Sequence, residues 1–96
     1  MQVLWIHRSQ RDLQRINDFE LKRSKQRATR VVNALLDEAD ELDRSLPVRK
    51  GTPLQVYLPR EVYRVIVMKD YEMHYEIDTA ANAIYILDVW HVKENR

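Results

Sequence analysis

The feature that most constrains the fold is a change of hydrophobic period in mid-chain. Before a segment holding Pro47, Gly51 and Pro53 the apolar residues recur at helical spacing; after it they recur at every second position. Over residues 25–44, Ala28, Val31, Val32, Leu35, Leu36, Ala39 and Leu42 trace the i, i+3, i+4, i+7 pattern of one buried helix face. Over residues 71–77, Tyr71, Met73, Tyr75 and Ile77 alternate with Glu72, His74 and Glu76, as on a strand with one face buried. A chain that switches period once, at a proline- and glycine-punctuated loop, segregates its helices from its main sheet.

The remaining elements follow. Residues 2–6 are β-branched and aromatic and read as a short strand that ends at His7 and Arg8. Ser9 is the expected N-cap of a first helix reaching about Lys22, with Leu13, Ile16 and Phe19 as its apolar stripe. Residues 54–58 alternate and are stopped by Pro59, which predicts an edge strand or extended lead-in. Residues 62–68 are mostly apolar, as for a strand buried on both faces. Residues 78–82 are a hairpin turn, 83–91 a last strand, and 92–96 a short charged tail. The expected class is α+β: an N-terminal strand, a helical hairpin, then a three-stranded antiparallel C-terminal sheet, in one domain over residues 1–96.

Charge is patterned rather than abundant. The formal net charge is +1. Residues 1–30 and 47–69 are basic, and residues 31–46 and 70–96 acidic. Such blocks complement one another when packed, and the balance is not that of a general nucleic-acid binder. The second helix runs against its macrodipole, with Lys25, Arg27 and Arg30 at its start and acidic residues from Asp37 to Asp43 at its end. Those charges need partners elsewhere, or a task.

Several chemistries are excluded. With no cysteine there is no disulfide, thiolate ligand or catalytic thiol. A single glycine rules out a glycine-rich phosphate loop. His7, His74 and His91 lack metal-ligand spacing, so no metal or cofactor is expected. Apolar stretches are too short for a membrane helix, and no signal core opens the chain. Ser9, Ser24 and Ser45 lack a nucleophile elbow. Glu72 and Glu76, about 13 Å apart on one strand face, are too distant to share a proton.

Two features carry function. On the polar strand face, Glu72, His74 and Glu76 meet one face of the last strand, expected to present Tyr85, Leu87, Val89 and His91; a histidine and a carboxylate across a strand pair suit acid–base work, or simply pair on a solvated sheet face. On the first helix, Arg8, Arg11, Arg15, Lys22 and Arg23 form a basic cluster, either a solvated face or a partner surface. The tyrosines and Trp90 are expected to fill the seam between helices and sheet.

The chain resembles the RelE/ParE superfamily of small bacterial toxins from type II toxin–antitoxin systems. The resemblance rests on Trp5, Ser9, Asp12, Leu13 and Ile16, on Ala28, Leu35 and Leu42, and on Pro47 and Gly51 where that family leaves its helical hairpin. More strongly it rests on residues 60–67 (REVYRVIV), 70–77 (DYEMHYEI) and 84–91 (IYILDVWH), which look like the family's last three strands. The resemblance implies a cytoplasmic protein that slows growth and binds a cognate antitoxin. It also implies one of two actions: ParE-like poisoning of DNA gyrase, or RelE-like cleavage of mRNA on the ribosome.

RelE-like enzymes generally carry an arginine just after the strand tyrosine, where this chain has Glu72. A carboxylate there repels a scissile phosphate. No tyrosine follows His91. The ParE-like reading is therefore favoured, with Arg60, Lys93, Arg96, Glu72 and His74 as target- or phosphate-binding candidates. In the nuclease alternative His91 would transfer protons while Arg64, Lys93 and Arg96 hold phosphates. A non-toxic family member that only binds its antitoxin is the third reading.

Overall fold

The structure, a computed structural model, describes residues 1–44 and 51–94. Pro47 of the expected loop and Arg96 of the tail lie outside the described residues. Among those described, the chain runs through β1 (Gln2–Trp5), α1 (His7–Leu21), α2 (Lys25–Arg44), β2 (Thr52–Pro53), a 3-10 turn (Gln55–Tyr57), β3 (Val62–Val67), β4 (Tyr71–Asp78) and β5 (Ala83–His91). The strands form one five-stranded sheet in the order β1-β5-β4-β3-β2. β2 to β5 pair antiparallel, and β1 joins β5 in parallel. The α+β class stands, and the three expected C-terminal strands form the middle of the sheet. The edge strands were not legible as sheet members, because β1 pairs with a strand some eighty residues away and β2 is two residues long.

α2 keeps the boundaries its period predicts. Ala28, Val31, Leu35, Ala39 and Leu42 are its buried positions, and the Ser24 hydroxyl accepts the Arg27 amide at 3.2 Å as its N-terminal cap. α1 departs from expectation at two points. Its N-cap is Ile6, with no side-chain bond. Ser9 lies inside the first turn, where its hydroxyl donates back to the Ile6 carbonyl at 2.9 Å. Its buried positions are Ser9, Asp12, Ile16 and Glu20, at i, i+3, i+7 and i+11, while Phe19 of the expected apolar stripe is 52% exposed. Three of the four residues α1 buries are therefore polar, and each requires a partner in the interior.

α1 and α2 pack on each other and on one face of the sheet, α1 over β5 and α2 over β1, β3 and β5. The core between them holds Ile16, Val31, Leu35 and Leu42 from the helices and Tyr71, Met73, Tyr75, Ile84, Ile86 and Val89 from the strands. Burying each such side chain contributes about 1.5–3 kcal/mol. Tyr63, Tyr71 and Tyr75 fill this seam, with Tyr63 and Tyr75 stacked at 5.7 Å. Residues 54–58 turn as a 3-10 segment rather than a strand. β3 is buried on both faces only at Val62 and Tyr63; beyond them its outer face opens to solvent at Arg64 and Ile66. Gly51 is fixed by space: a Cβ there would lie 2.1 Å from the Arg64 carbonyl oxygen, and its amide donates to the Tyr75 hydroxyl at 2.6 Å.

One irregularity positions everything that follows. His74 pairs with Asp88, but Tyr75 pairs with Ile86, so Leu87 is an extra residue in β5. Such a bulge reverses the side-chain alternation beyond it. Val89 and His91 consequently turn to the helix side, while Asp88 and Trp90 take the outer face. The expectation that Tyr85, Leu87, Val89 and His91 share a face is corrected by this single residue.

Candidate functional site

The bulge divides the candidate residues between two surfaces. On the outer sheet face, cross-strand register lines up Arg64 on β3, His74 on β4 and Asp88 on β5. His74 is 6% exposed. Its Nε2 lies 2.5 Å from a Glu72 carboxylate oxygen and its Nδ1 lies 3.1 Å from Asp88 Oδ1. Trp90 packs its ring edge-on against the imidazole at 4.6 Å. Burial alone would lower the His74 pKa, but hydrogen bonding and charge from Asp88 and Glu72 outweigh it, and the pKa is raised. With both ring nitrogens facing carboxylates, the imidazolium is the form this clamp favours.

The basic residues of this face are answered in the same way. Arg64 approaches Glu72 at 3.6 Å. Arg60 holds Glu76 through two contacts, at 3.0 and 2.7 Å. That pairing, foremost the hydrogen bond to Glu76, raises the Arg60 pKa. Arg60, Arg64, Glu72 and His74 are thus brought to one surface, where Arg60 hydrogen-bonds Glu76 and Arg64 lies within ion-pair distance of Glu72.

His91 is elsewhere. It stands edge-on to Tyr71 at 5.2 Å on the helix side, and the Lys93 amide donates to its Nδ1 at 3.1 Å. The structure therefore does not bring His91 together with Arg64, the pair a nuclease mechanism would need. Lys93 is exposed on the turn after β5.

The helix side carries residues that the reading by size and charge left aside. Glu20, fully buried, accepts the Tyr71 hydroxyl at 2.6 Å and pairs with Arg27 Nε at 2.6 Å. Arg27 also approaches Asp70 at 3.6 Å. Burial, then the bond to Glu20, holds the Tyr71 pKa well above its ordinary range. Asp12 accepts the Val89 amide at 3.0 Å, fixing the strand just past the bulge. Arg15 reaches the Val89 carbonyl at 3.3 Å and Glu94 at 2.7 Å. Burial would lower the Arg15 pKa, but Glu94 and Asp12 raise it. Glu94 in turn accepts the His91 amide at 2.8 Å. Between α1 and this turn lies an apolar notch of about 320 Å³, lined by Arg15, Ile16, Phe19, Tyr71, His91 and Glu94. The signal for Asp12 and Glu20 was their position on the stripe through Ser9 and Ile16, which a search for apolar residues passes over.

Among the described residues no group of three or more histidine, aspartate or glutamate side chains could hold a metal ion. No helix among them is long and apolar enough to cross a membrane.

The fold, a helical pair on one face of a five-stranded sheet, is shared with a solved structure titled as the chromosomal ParDE TA system from P. aeruginosa. The TM-score is 0.80 at 18% sequence identity, covering 97% of each chain. No curated protein matches the sequence. A family model described as the ParE toxin of the type II toxin–antitoxin system parDE matches residues 3–96. With the match running from β1 through the turn after β5, this chain belongs to the ParE toxin family of type II toxin–antitoxin systems.

Proposed function

We propose that the protein is the toxin of a type II pair that acts in the cytoplasm on DNA gyrase and is neutralised by a cognate antitoxin. The observation that carries this is the ParE family match over residues 3–96. The charge arrangement supports it over mRNA cleavage. A phosphoryl-transfer site needs cations free to meet a phosphate and a proton carrier with a free ring nitrogen. Here the outer-face arginines are held by Glu72 and Glu76, His74 faces a carboxylate on each side, and His91 lies across the sheet from Arg64. The target-binding residues we propose are Arg60, Glu72 and His74 on the outer face with Lys93 and Arg96 at the C-terminal end. No bond is made or broken by the toxin in this reading.

The test is induction of the gene alone in a bacterial host, with pulse-labelling, together with a supercoiling assay on purified protein. DNA synthesis should fail before protein synthesis, and gyrase supercoiling should be inhibited. Early loss of protein synthesis, abolished by His91→Ala, would replace this reading with mRNA cleavage. Unchanged growth and labelling would leave a non-toxic antitoxin-binding member of the family.

A further inference from the structure

We infer that the helical layer carries a surface for the phosphate backbone of duplex DNA, bound without regard to base sequence. The inference does not depend on which cellular target the toxin has. Its first support is an imbalance of charge. Arg8, Arg11, Lys22, Arg23, Lys25 and Arg30 are exposed, and no acidic partner answers them among the described residues. The same stretch of chain holds three acids. Asp12 is buried and accepts the Val89 amide, and Glu20 is buried against Tyr71 and Arg27. Asp18 is the one exposed acid there, and the Gln14 side-chain amide donates to it at 2.9 Å. The net charge of +1 for the whole chain therefore conceals a strongly cationic layer.

The second support is geometry. At i, i+3 and i+14, Arg8, Arg11 and Lys22 lie along one side of α1, about 21 Å from end to end. That is the axial rise of about six base pairs of duplex. Arg8 and Arg11 line one concavity of this side, and Arg11 and Lys22 the next. Lys25 and Arg30 line a third at the start of α2, so the band continues round the hairpin. A repeating polyanion answers cations spread over such a length, whereas a short acidic segment meets only a few of them. Single strands are held by stacking on several aromatic rings. Phe19 is the one phenylalanine, tyrosine or tryptophan of residues 7–44. A duplex, with its bases already stacked, needs none. Both helices pack on one face of the sheet, so DNA bound there leaves the outer sheet face open.

The test is fluorescence anisotropy of labelled 20-base-pair duplexes of unrelated sequence, titrated with the purified full chain at several salt concentrations. The duplexes should bind alike. With four or more phosphates neutralised, log K should fall against log salt with a slope of about −3.6 or steeper. The triple variant Arg8→Gln, Arg11→Gln and Lys22→Gln changes only exposed side chains. It should weaken binding at least about tenfold at low salt and flatten the slope by about 2.7. A second triple variant, Arg23→Gln, Lys25→Gln and Arg30→Gln, should weaken binding in the same direction. Both should melt with the parent. In an NMR titration the duplex should shift amides of α1 and the start of α2. The inference is overturned if no duplex binds at low salt, if both variants bind like the parent, or if the shifts fall on Arg60, Arg64 and Trp90. Tighter binding of a single-stranded oligonucleotide, of DNA or RNA, would overturn it in favour of a single-strand surface. Equal binding of a polyglutamate peptide would overturn it in favour of an acidic protein.

Discussion

The outer face of the sheet and the groove along α1 both carry arginines, yet they treat them in opposite ways. On the sheet, register sets Arg64 beside Glu72 and Arg60 beside Glu76, and closes His74 between two acids. On α1, Arg8 and Arg11 point from one side of a helix whose neighbours in that stripe are also basic. Cross-strand neighbours come from separate stretches of chain and can be chosen with opposite signs. On α1 only Arg15 of the stripe finds acids, Asp12 one turn back and Glu94 after β5. The sheet face pairs its charges within itself, whereas Arg8 and Arg11 on α1 are exposed with no acidic partner among the described residues.

Substitutions can break this contrast, and the largest effect is expected beneath the groove. Glu20→Ala leaves Arg27 and the Tyr71 hydroxyl facing a buried void, and should cost about 3–5 kcal/mol in denaturant unfolding. A loss below about 1 kcal/mol would mean that this buried pair does not hold α1 to the sheet. Asp12→Ala should cost about 1–3 kcal/mol, because it orphans the buried Val89 amide. It should also shift the amide resonances of the bulge and of Glu94 while leaving the outer-face ion pairs in place.

A smaller, pH-dependent effect tests the outer face. The folded pKa of His74 is raised. Its contribution is therefore fully present below the unfolded value of about 6.5 and is lost as pH rises through the raised folded value. The parent should lose stability across that window relative to His74→Gln, whose difference from the parent should be flat on either side of it. A parent curve parallel to that of the variant throughout would mean that the clamp does not favour the imidazolium. The smallest effect is expected for Arg60→Ala, which breaks an exposed pair and should melt with the parent. A clear drop there would show that pairing on the outer face is structural and not merely compensated.

Much of the fold was legible. α2 was read with its boundaries, because seven apolar residues at helical spacing admit little else. β4 was read because its alternation is regular, and β5 as the mostly apolar run that follows the turn at Asp78 to Asn82: the Asp78 carboxylate accepts the Ala81 amide at 3.1 Å, and Asn82 sits at φ 53. The candidate site was less legible. Glu72, His74 and Glu76 were read as sharing a polar face and are so placed; Arg64 joins them only through the β3–β4 register. His91 was assigned to that face and is not on it. Asp12, Glu20 and Glu94 were passed over as site residues, since a buried carboxylate is recognisable only once its partner is in place.

By itself the sequence determined the class, the helical pair, the antiparallel strands and the alternating charge blocks. All of these arise from local periodicity and composition, which short-range backbone geometry reads directly. Only the tertiary structure decided that β1 closes the sheet in parallel beside β5, and that Leu87 bulges, turning His91 to the helices and Trp90 to the outer face. It also decided that α1 buries an aspartate and a glutamate while exposing a phenylalanine. Each of these depends on contacts between residues far apart in the chain: a register, a cross-strand partner or an amide awaiting an acceptor. No local pattern encodes such contacts until the elements have met.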